Sequence, residues 1–137
     1  MALRILPLIT IPLILYNVIA VFASGPDPDS VFRSVLFSLP LPSGGRWSFS
    51  WGDLLIVITL CMLFVELIKS TFTSISVMVD HMLATLIFIV CLIEFLVVKS
   101  CATSVFFLIM TAALIDVVAG FSISMRAARR DINFGGG

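Results

Sequence analysis

The stretch ATSVFFLIMTAALIDVVAGFSISM, Ala102 to Met125, is mostly apolar and contains a single ionisable residue, Asp116. A helix needs about 20 mostly apolar residues to cross the hydrocarbon layer of a bilayer, so this stretch predicts a transmembrane helix. A charge at mid-bilayer costs about 2.5 to 3.5 kcal/mol on insertion scales. We therefore expect Asp116 to face other helices or water, or else to be protonated.

The composition of the whole chain agrees with a membrane location. Of 137 residues, 61% are hydrophobic and 12% are charged, and the mean hydropathy is +1.23. In soluble domains about a quarter of the residues are charged. A soluble fold of this size cannot bury so many apolar side chains, so we expect one integral membrane domain whose solvent is the lipid bilayer. No basic run with interleaved aromatics, which would indicate a nucleic acid partner, is present.

Four segments are apolar enough, and nearly or fully long enough, to be spans: residues 5–23, 51–69, 77–98 and 101–125. We expect an all-α integral membrane protein whose four transmembrane helices form an antiparallel bundle. The outer loop would cover residues 24–52, and a cytoplasmic tail would cover 126–137.

The first segment has a second interpretation. Its basic start, apolar centre and small residues before Ser24 resemble a cleavable signal peptide. Its length and the early Pro7 and Pro12 favour a retained helix. Pro12 cannot donate a hydrogen bond to the carbonyl of Leu8, so we expect a kink there.

Basic residues determine the predicted orientation. With four spans, one side of the membrane carries Arg4, Lys69, Arg126, Arg129 and Arg130, and the other carries Arg33, Arg46 and Lys99. The positive-inside rule then places both termini in the cytoplasm, as in a protein of the bacterial inner membrane. Arg126, Arg129 and Arg130 end the last span and are expected to contact anionic lipid headgroups.

The outer loop allows two local structures. Asp29 or Ser30 can cap a short helix. Alternatively, the strict alternation of Trp47-Ser48-Phe49-Ser50-Trp51 predicts a strand. The register predicted for a hairpin pairs Leu41 with Trp47, Leu39 with Phe49 and Phe37 with Trp51, around a loop from Pro42 to Arg46. We prefer the hairpin, with Trp47, Phe49 and Trp51 at the membrane interface.

The fourth segment also has a stripe of small and polar residues. Ala112, Asp116, Gly120 and Ser124 recur every four residues and therefore lie on one helix face. Small residues allow a second backbone to approach closely. We interpret this stripe as a helix-packing face.

The other spans carry polar groups at matching depths. Glu66, Asp80 and His81 are expected in the cytoplasmic half with Asp116, whereas Glu94 is expected toward the outside, within reach of Lys99 or Asp53. Asn17 is expected to hydrogen-bond to another helix. These groups either satisfy one another and hold the helices in register, or form a proton or cation path.

Catalytic patterns are weak in this sequence. We identify no nucleophile motif, no phosphate loop, no zinc spacing and no cofactor site, and the three cysteines are expected to be buried thiols. We therefore expect a non-enzymatic scaffold or accessory subunit that associates with itself or with a larger membrane complex. The alternative is a small proton- or cation-coupled transporter or channel, with Asp116 and Glu66 as titrating groups and His81 as a relay.

Overall fold

A computed structural model describes residues 6–22, 27–71 and 75–134 of the chain. The described residues are mostly helical. In chain order the elements are α1 (Thr10–Phe22), α2 (Asp29–Arg33), β1 (Val35–Pro40), β2 (Arg46–Ser50), α3 (Trp51–Ser70), α4 (Ile75–Val97), a 3-10 turn (Lys99–Cys101) and α5 (Ser104–Phe134). Arg4 and the possible cleavage site before Ser24 lie outside the described residues.

Three helices are long and apolar enough to cross a membrane. The segments are Trp51–Ser70, Val79–Val97 and Ser104–Arg126. The fourth apolar helix, α1, has 13 residues and is therefore about 20 Å long, shorter than the roughly 30 Å hydrocarbon layer. The prediction of a mostly helical protein is confirmed, with three helices that are long and apolar enough to span a membrane.

Helix α5 lies at the centre of the helix packing. Both α3 and α4 contact it more than they contact any other element, and α1 contacts α3 more than any other element. The bundle has two ends. We call the end with β1, β2 and the start of α3 the hairpin end, and the opposite end the far end.

An aromatic group forms the core at the hairpin end. Tyr16 and Phe32 stack with their ring centroids 4.4 Å apart, and the edge of Phe106 meets Tyr16 at 4.9 Å. All three side chains are at most 1% exposed. This packing joins α1, α2 and α5.

The start of α1 differs from the prediction. The helix begins at Thr10, so Pro12 lies in its first turn, where a backbone N–H has no partner within the helix anyway. Pro12 therefore removes no hydrogen bond from within α1, and the kink stays a prediction.

The outer segment contains both structures that the sequence allowed. The short helix α2 is followed directly by the antiparallel hairpin of β1 and β2. Neither Asp29 nor Ser30 caps α2, because both lie within the helix and its N-cap is Pro28, which makes no side-chain hydrogen bond. The register differs by two residues from the predicted one: Leu39 faces Trp47 and Phe37 faces Phe49. A shift of two residues keeps each side chain on its face of the sheet, and Phe37 accordingly contacts both Trp47 and Phe49.

The hairpin turn explains this shift. Gly44 has a φ of +82°, a conformation that favours glycine. Around it, Leu41 donates its N–H to the Gly45 carbonyl at 2.8 Å, and the Gly44 N–H donates to the Leu41 carbonyl at 2.9 Å. The loop therefore runs from Leu41 to Gly45 instead of from Pro42 to Arg46.

A capping box places Trp51 in α3 and not in the hairpin. The Ser50 side chain accepts a hydrogen bond from the Asp53 N–H, and the Asp53 carboxylate accepts one from the Ser50 N–H at 2.8 Å. This exchange satisfies orphan donors at a helix start. Strand β2 consequently continues into α3 without a loop, and the predicted pair of Phe37 with Trp51 is wrong.

Helix α5 continues beyond its apolar part. The segment long enough to span ends at Arg126, whereas the helix ends at Phe134. Much of the expected tail is therefore helical. Arg126 and Arg129 are exposed on this extension, and their spacing of three residues places them on one helix face. The side chain of Arg130 lies outside the described part.

Candidate intramembrane polar site

The stripe on α5 faces the interior of the bundle. Asp116 is 2% exposed and Ala112 4% exposed, Gly120 is buried and Ser124 is half-buried. Asp116 therefore faces the neighbouring helices, and the small residues on either side allow those helices to approach it.

Gly120 has a specific packing partner. A Cβ added to this glycine would lie 1.5 Å from Cε1 of His81, which shows that the imidazole ring on α4 lies directly against the α5 backbone. Only glycine leaves this space free. The contact connects the two helices one turn away from Asp116.

Lys69 joins α3 to α4 at the far end. Its Nζ lies 3.1 Å from Oε1 of Glu66 on its own helix and 2.6 Å from Oδ2 of Asp80 on α4. Glu66 and Asp80 are both buried, at 5% and 7% exposure. An ammonium shared by two carboxylates stabilises both charges in a site with little water.

Glu66 also holds the start of α1. Its second carboxylate oxygen, Oε2, accepts a hydrogen bond from the Leu8 N–H at 3.0 Å. The first N–H groups of a helix and those just before it lack internal partners, and negative charge is favourable at that end. Glu66 therefore links three helices: α3, α4 through Lys69, and α1.

Glu66, Lys69, Asp80, His81 and Asp116 together form what we call the polar cluster. Some of its atoms are not satisfied. Among the described residues, Oδ2 of Asp116, Oδ1 of Asp80 and Nε2 of His81 are buried without a hydrogen-bond partner. Asp116 is influenced electrostatically by Glu66, Asp80 and Lys69. The cluster thus brings together the four residues that the sequence placed in one half of the membrane.

Glu94 and Asn17 belong to a second polar group at the hairpin end. Asn17 donates from Nδ2 to Oε2 of Glu94 at 3.0 Å, so it makes its expected hydrogen bond to another helix. Among the described residues, Glu94 forms no ion pair with Lys99, and Asp53, the other residue expected within its reach, is bonded to Ser50. The partner of Glu94 is instead the side-chain amide of Asn17 on α1.

Sequence reasoning missed two residues of this second group. The Tyr16 hydroxyl lies 2.8 Å from the Ser100 carbonyl, to which it donates, and 2.6 Å from Oγ1 of Thr103. Thr103 also accepts from the Phe106 N–H at 3.2 Å and so caps α5. The available signals were the lone tyrosine within an apolar run and a threonine just before a predicted helix, which is a preferred capping residue.

The cysteines are not all buried. Cys91 and Cys101 are buried, whereas Cys61 is exposed, so the expectation of three buried thiols was wrong for Cys61. Burial, together with the nearby Glu94 carboxylate, raises the pKa of Cys101, which lies in the turn between α4 and α5, to about 11. Its thiol is therefore protonated at neutral pH.

The interface aromatics occupy the hairpin end. Trp47 and Trp51 are 46% and 43% exposed, and Phe49 is half-buried. Trp47 meets Phe49 edge to face at 5.6 Å. These side chains therefore form an exposed aromatic surface next to the start of α3.

Two of the cavities formed by described residues are an apolar groove and a cleft at the hairpin end. An apolar groove of about 230 Å³ runs between α3 and α5, and an open cleft of about 360 Å³ lies between the hairpin, α2 and α5. Asp116 lines neither of them. Within the described part of the chain, no three His, Cys, Asp or Glu residues are grouped so that they could hold a metal ion.

Comparison with known proteins adds no further assignment. No protein-family model, curated protein or solved structure matches this chain. The interpretation of the polar cluster therefore depends on its own geometry.

Proposed function

We propose that this chain is a four-span protein of the inner membrane that acts as a non-enzymatic scaffold or accessory subunit, in a homo-oligomer or in a larger membrane complex. The observation that carries the proposal is that its buried polar side chains connect helices to one another at both ends of the bundle. Three further observations support it: the depth that α1 covers, the distribution of charge between the two ends, and the exposed face of α4.

The depth of α1 supports a fourth span. Leu8, just before α1, is bound by Glu66 near the far end of α3, and Asn17 is bound to Glu94 near the hairpin end of α4. Two contacts at opposite ends of the bundle mean that α1 and the residues before it cover most of the depth covered by the longer helices. The residues just before the helix then add to the length of this span.

Charge supports the orientation with both termini in the cytoplasm. In the predicted topology, the side that carries the termini has five basic residues and the hairpin side has three. Of the five, Lys69, Arg126 and Arg129 are described at the far end, and the last two are exposed near the end of α5. This end would face the cytoplasm by the positive-inside rule. The hairpin and its tryptophans would then rest at the outer interface, where amphipathic rings are favoured.

The polar contacts support a scaffold. Glu66 and Lys69 link α1, α3 and α4, and Asn17 with Glu94 links α1 to α4. Polar bonds between helices in lipid are worth about 0.6 kcal/mol each on average, and they also fix the register of the helices. Such groups serve assembly without any chemical step.

The outward face of α4 offers a surface for association. Only 17% of its spanning segment is buried within the chain, compared with 39% for α5. Six of its exposed residues follow alternating spacings of three and four: Val79, Met82, Leu86, Ile89, Ile93 and Leu96. This spacing is typical of helix pairs that pack along a narrow seam.

Native-level expression followed by purification in a mild detergent tests the proposal. We expect a particle larger than one chain, identified by its mass and its co-purifying proteins. Leu86→Trp on α4 should weaken that assembly, whereas Leu60→Trp on α3 should not. The two leucines are similarly exposed, at 59% and 56%, so the pair controls for the bulk of tryptophan in lipid. A lone chain with no partner at native expression would contradict the scaffold.

A second experiment separates the scaffold from the transport alternative. Asp116→Leu should disturb assembly or accumulation if the buried carboxyl serves packing. If this variant assembles normally but abolishes a proton or cation flux that the wild-type protein shows in vesicles, the transport function replaces the scaffold.

A further inference from the structure

The polar cluster holds more negative than positive charge. Glu66, Asp80 and Asp116 are three carboxyl groups, and Lys69 is the one ammonium in the cluster. With all of them ionised and His81 neutral, the cluster would carry two net negative charges. An unbalanced charge is costly to bury, in a protein interior and in a bilayer alike.

Asp116 is the carboxyl group of the cluster that has no ion-pair partner among the described residues. Glu66 is bonded to Lys69 and to the Leu8 N–H, and one oxygen of Asp80 is paired with Lys69. Asp116 forms no ion pair with any described residue, its Oδ2 has no hydrogen-bond partner, and its side chain is 2% exposed. Glu66 and Asp80 act on it as like charges, and Lys69 opposes them.

The surroundings of Asp116 define the kind of ligand. A metal cation needs several ligands, and the described residues provide no group of three that could hold one. A proton needs no ligand shell and little space. From α4, the groups facing this region are Asp80 and His81. The His81 ring lies against Gly120 with its Nε2 unpartnered.

We propose that Asp116 is a buried proton-binding site, and that its neutral carboxylic acid is the form in which α5 packs against α3 and α4. This inference goes beyond the scaffold function. The step is the transfer of one proton from hydronium to the carboxylate, which leaves water and removes one negative charge from the cluster. Glu66 and Asp80, held by Lys69, then keep their roles as fixed charges.

Infrared spectroscopy of the full chain in lipid vesicles tests the proposal. The difference spectrum between wild type and Asp116→Asn at neutral pH should contain the carbonyl stretch of a protonated carboxyl. Alkaline titration should convert this band into carboxylate bands. Glu94→Gln is the matched control, because it removes a membrane carboxyl that is already bonded to Asn17, and it should leave the band unchanged. Carboxylate bands for Asp116 at neutral pH would overturn the proposal.

A sodium series distinguishes a proton from an alkali ion. At fixed pH and ionic strength, replacing choline by sodium should leave the protonated band unchanged, and loss of the band would overturn the proposal in favour of a sodium site.

If Asp116→Asn fails to accumulate, a chemical modification of the wild-type protein tests the proposal. A hydrophobic carbodiimide, which reacts with protonated carboxyls, should then modify Asp116, about tenfold more slowly for each unit of pH above its titration. Modification that maps elsewhere, sparing Asp116, would reject the site.

Discussion

The contact between His81 and Gly120 allows the sharpest prediction. In Gly120→Ala, the new Cβ would lie 1.5 Å from Cε1 of the imidazole, whereas carbon atoms in contact are about 3.5 to 4.0 Å apart. The ring must therefore move by about 2 Å. Overpacking of this kind costs typically 1 to 3 kcal/mol, and the better helix propensity of alanine returns up to about 1 kcal/mol. We expect a net loss of up to about 2 kcal/mol in the free energy of unfolding.

A double-mutant cycle isolates this contact. His81→Ala removes the ring, so the added methyl at position 120 then has space. The double variant should be as stable as His81→Ala alone, or more stable by up to about 1 kcal/mol. The coupling between the two positions should therefore be about 1 to 3 kcal/mol, measured by unfolding in mixed micelles of dodecylmaltoside and SDS with far-ultraviolet circular dichroism.

Gly45→Ala is the control for the change from glycine to alanine. A Cβ there would lie 3.5 Å from the Ser43 hydroxyl oxygen, which is ordinary contact, so its effect should stay within about 0.5 kcal/mol. If Gly120→Ala matches wild type in stability and the cycle shows no coupling, the close approach of α4 and α5 at His81 is refuted.

Four further predictions concern other parts of the chain. Glu66→Gln keeps an acceptor for the Leu8 N–H and should be less damaging than Glu66→Leu, which leaves that donor unpaired at a cost of about 1 to 3 kcal/mol; equal losses in micelle unfolding would argue against the cap. Folding raises the pKa of Cys101 from its ordinary value of 9.0 to about 11. The protonated thiol should therefore stabilise the fold at pH values below 9.0, and this contribution should be lost as the pH rises through about 11. A Cys101→Ser variant should show a weaker alkaline loss of stability. Cys61, which is exposed, should react with an apolar maleimide faster than Cys101, and the reverse order would contradict their burial. Gly44→Ala should destabilise the hairpin by about 1 to 2 kcal/mol because of its positive φ, detected as a change in tryptophan fluorescence, and an unchanged spectrum would place the turn elsewhere.

Packing faces were easier to predict than their partners. The stripe containing Asp116 and Gly120 follows directly from a spacing of four residues and the cost of a charge in lipid. The sequence does not reveal that His81 lies against Gly120, because a spacing on one helix carries no information about the helix opposite. Glu94 illustrates the same limit: its depth was inferred from the sequence, but the choice of Asn17 as partner depends on where α1 lies.

Hydropathy by itself determined the class of this protein. The thickness of the bilayer fixes the length of a spanning helix, and the backbone must satisfy its own hydrogen bonds in lipid, so long apolar runs lead to membrane-spanning helices. Tertiary structure decided the start of α1, the hairpin register set by Gly44, and the sharing of Lys69 between Glu66 and Asp80. These features depend on contacts between residues distant in the chain, or on one backbone conformation in a turn, and a one-dimensional pattern of polarity records neither.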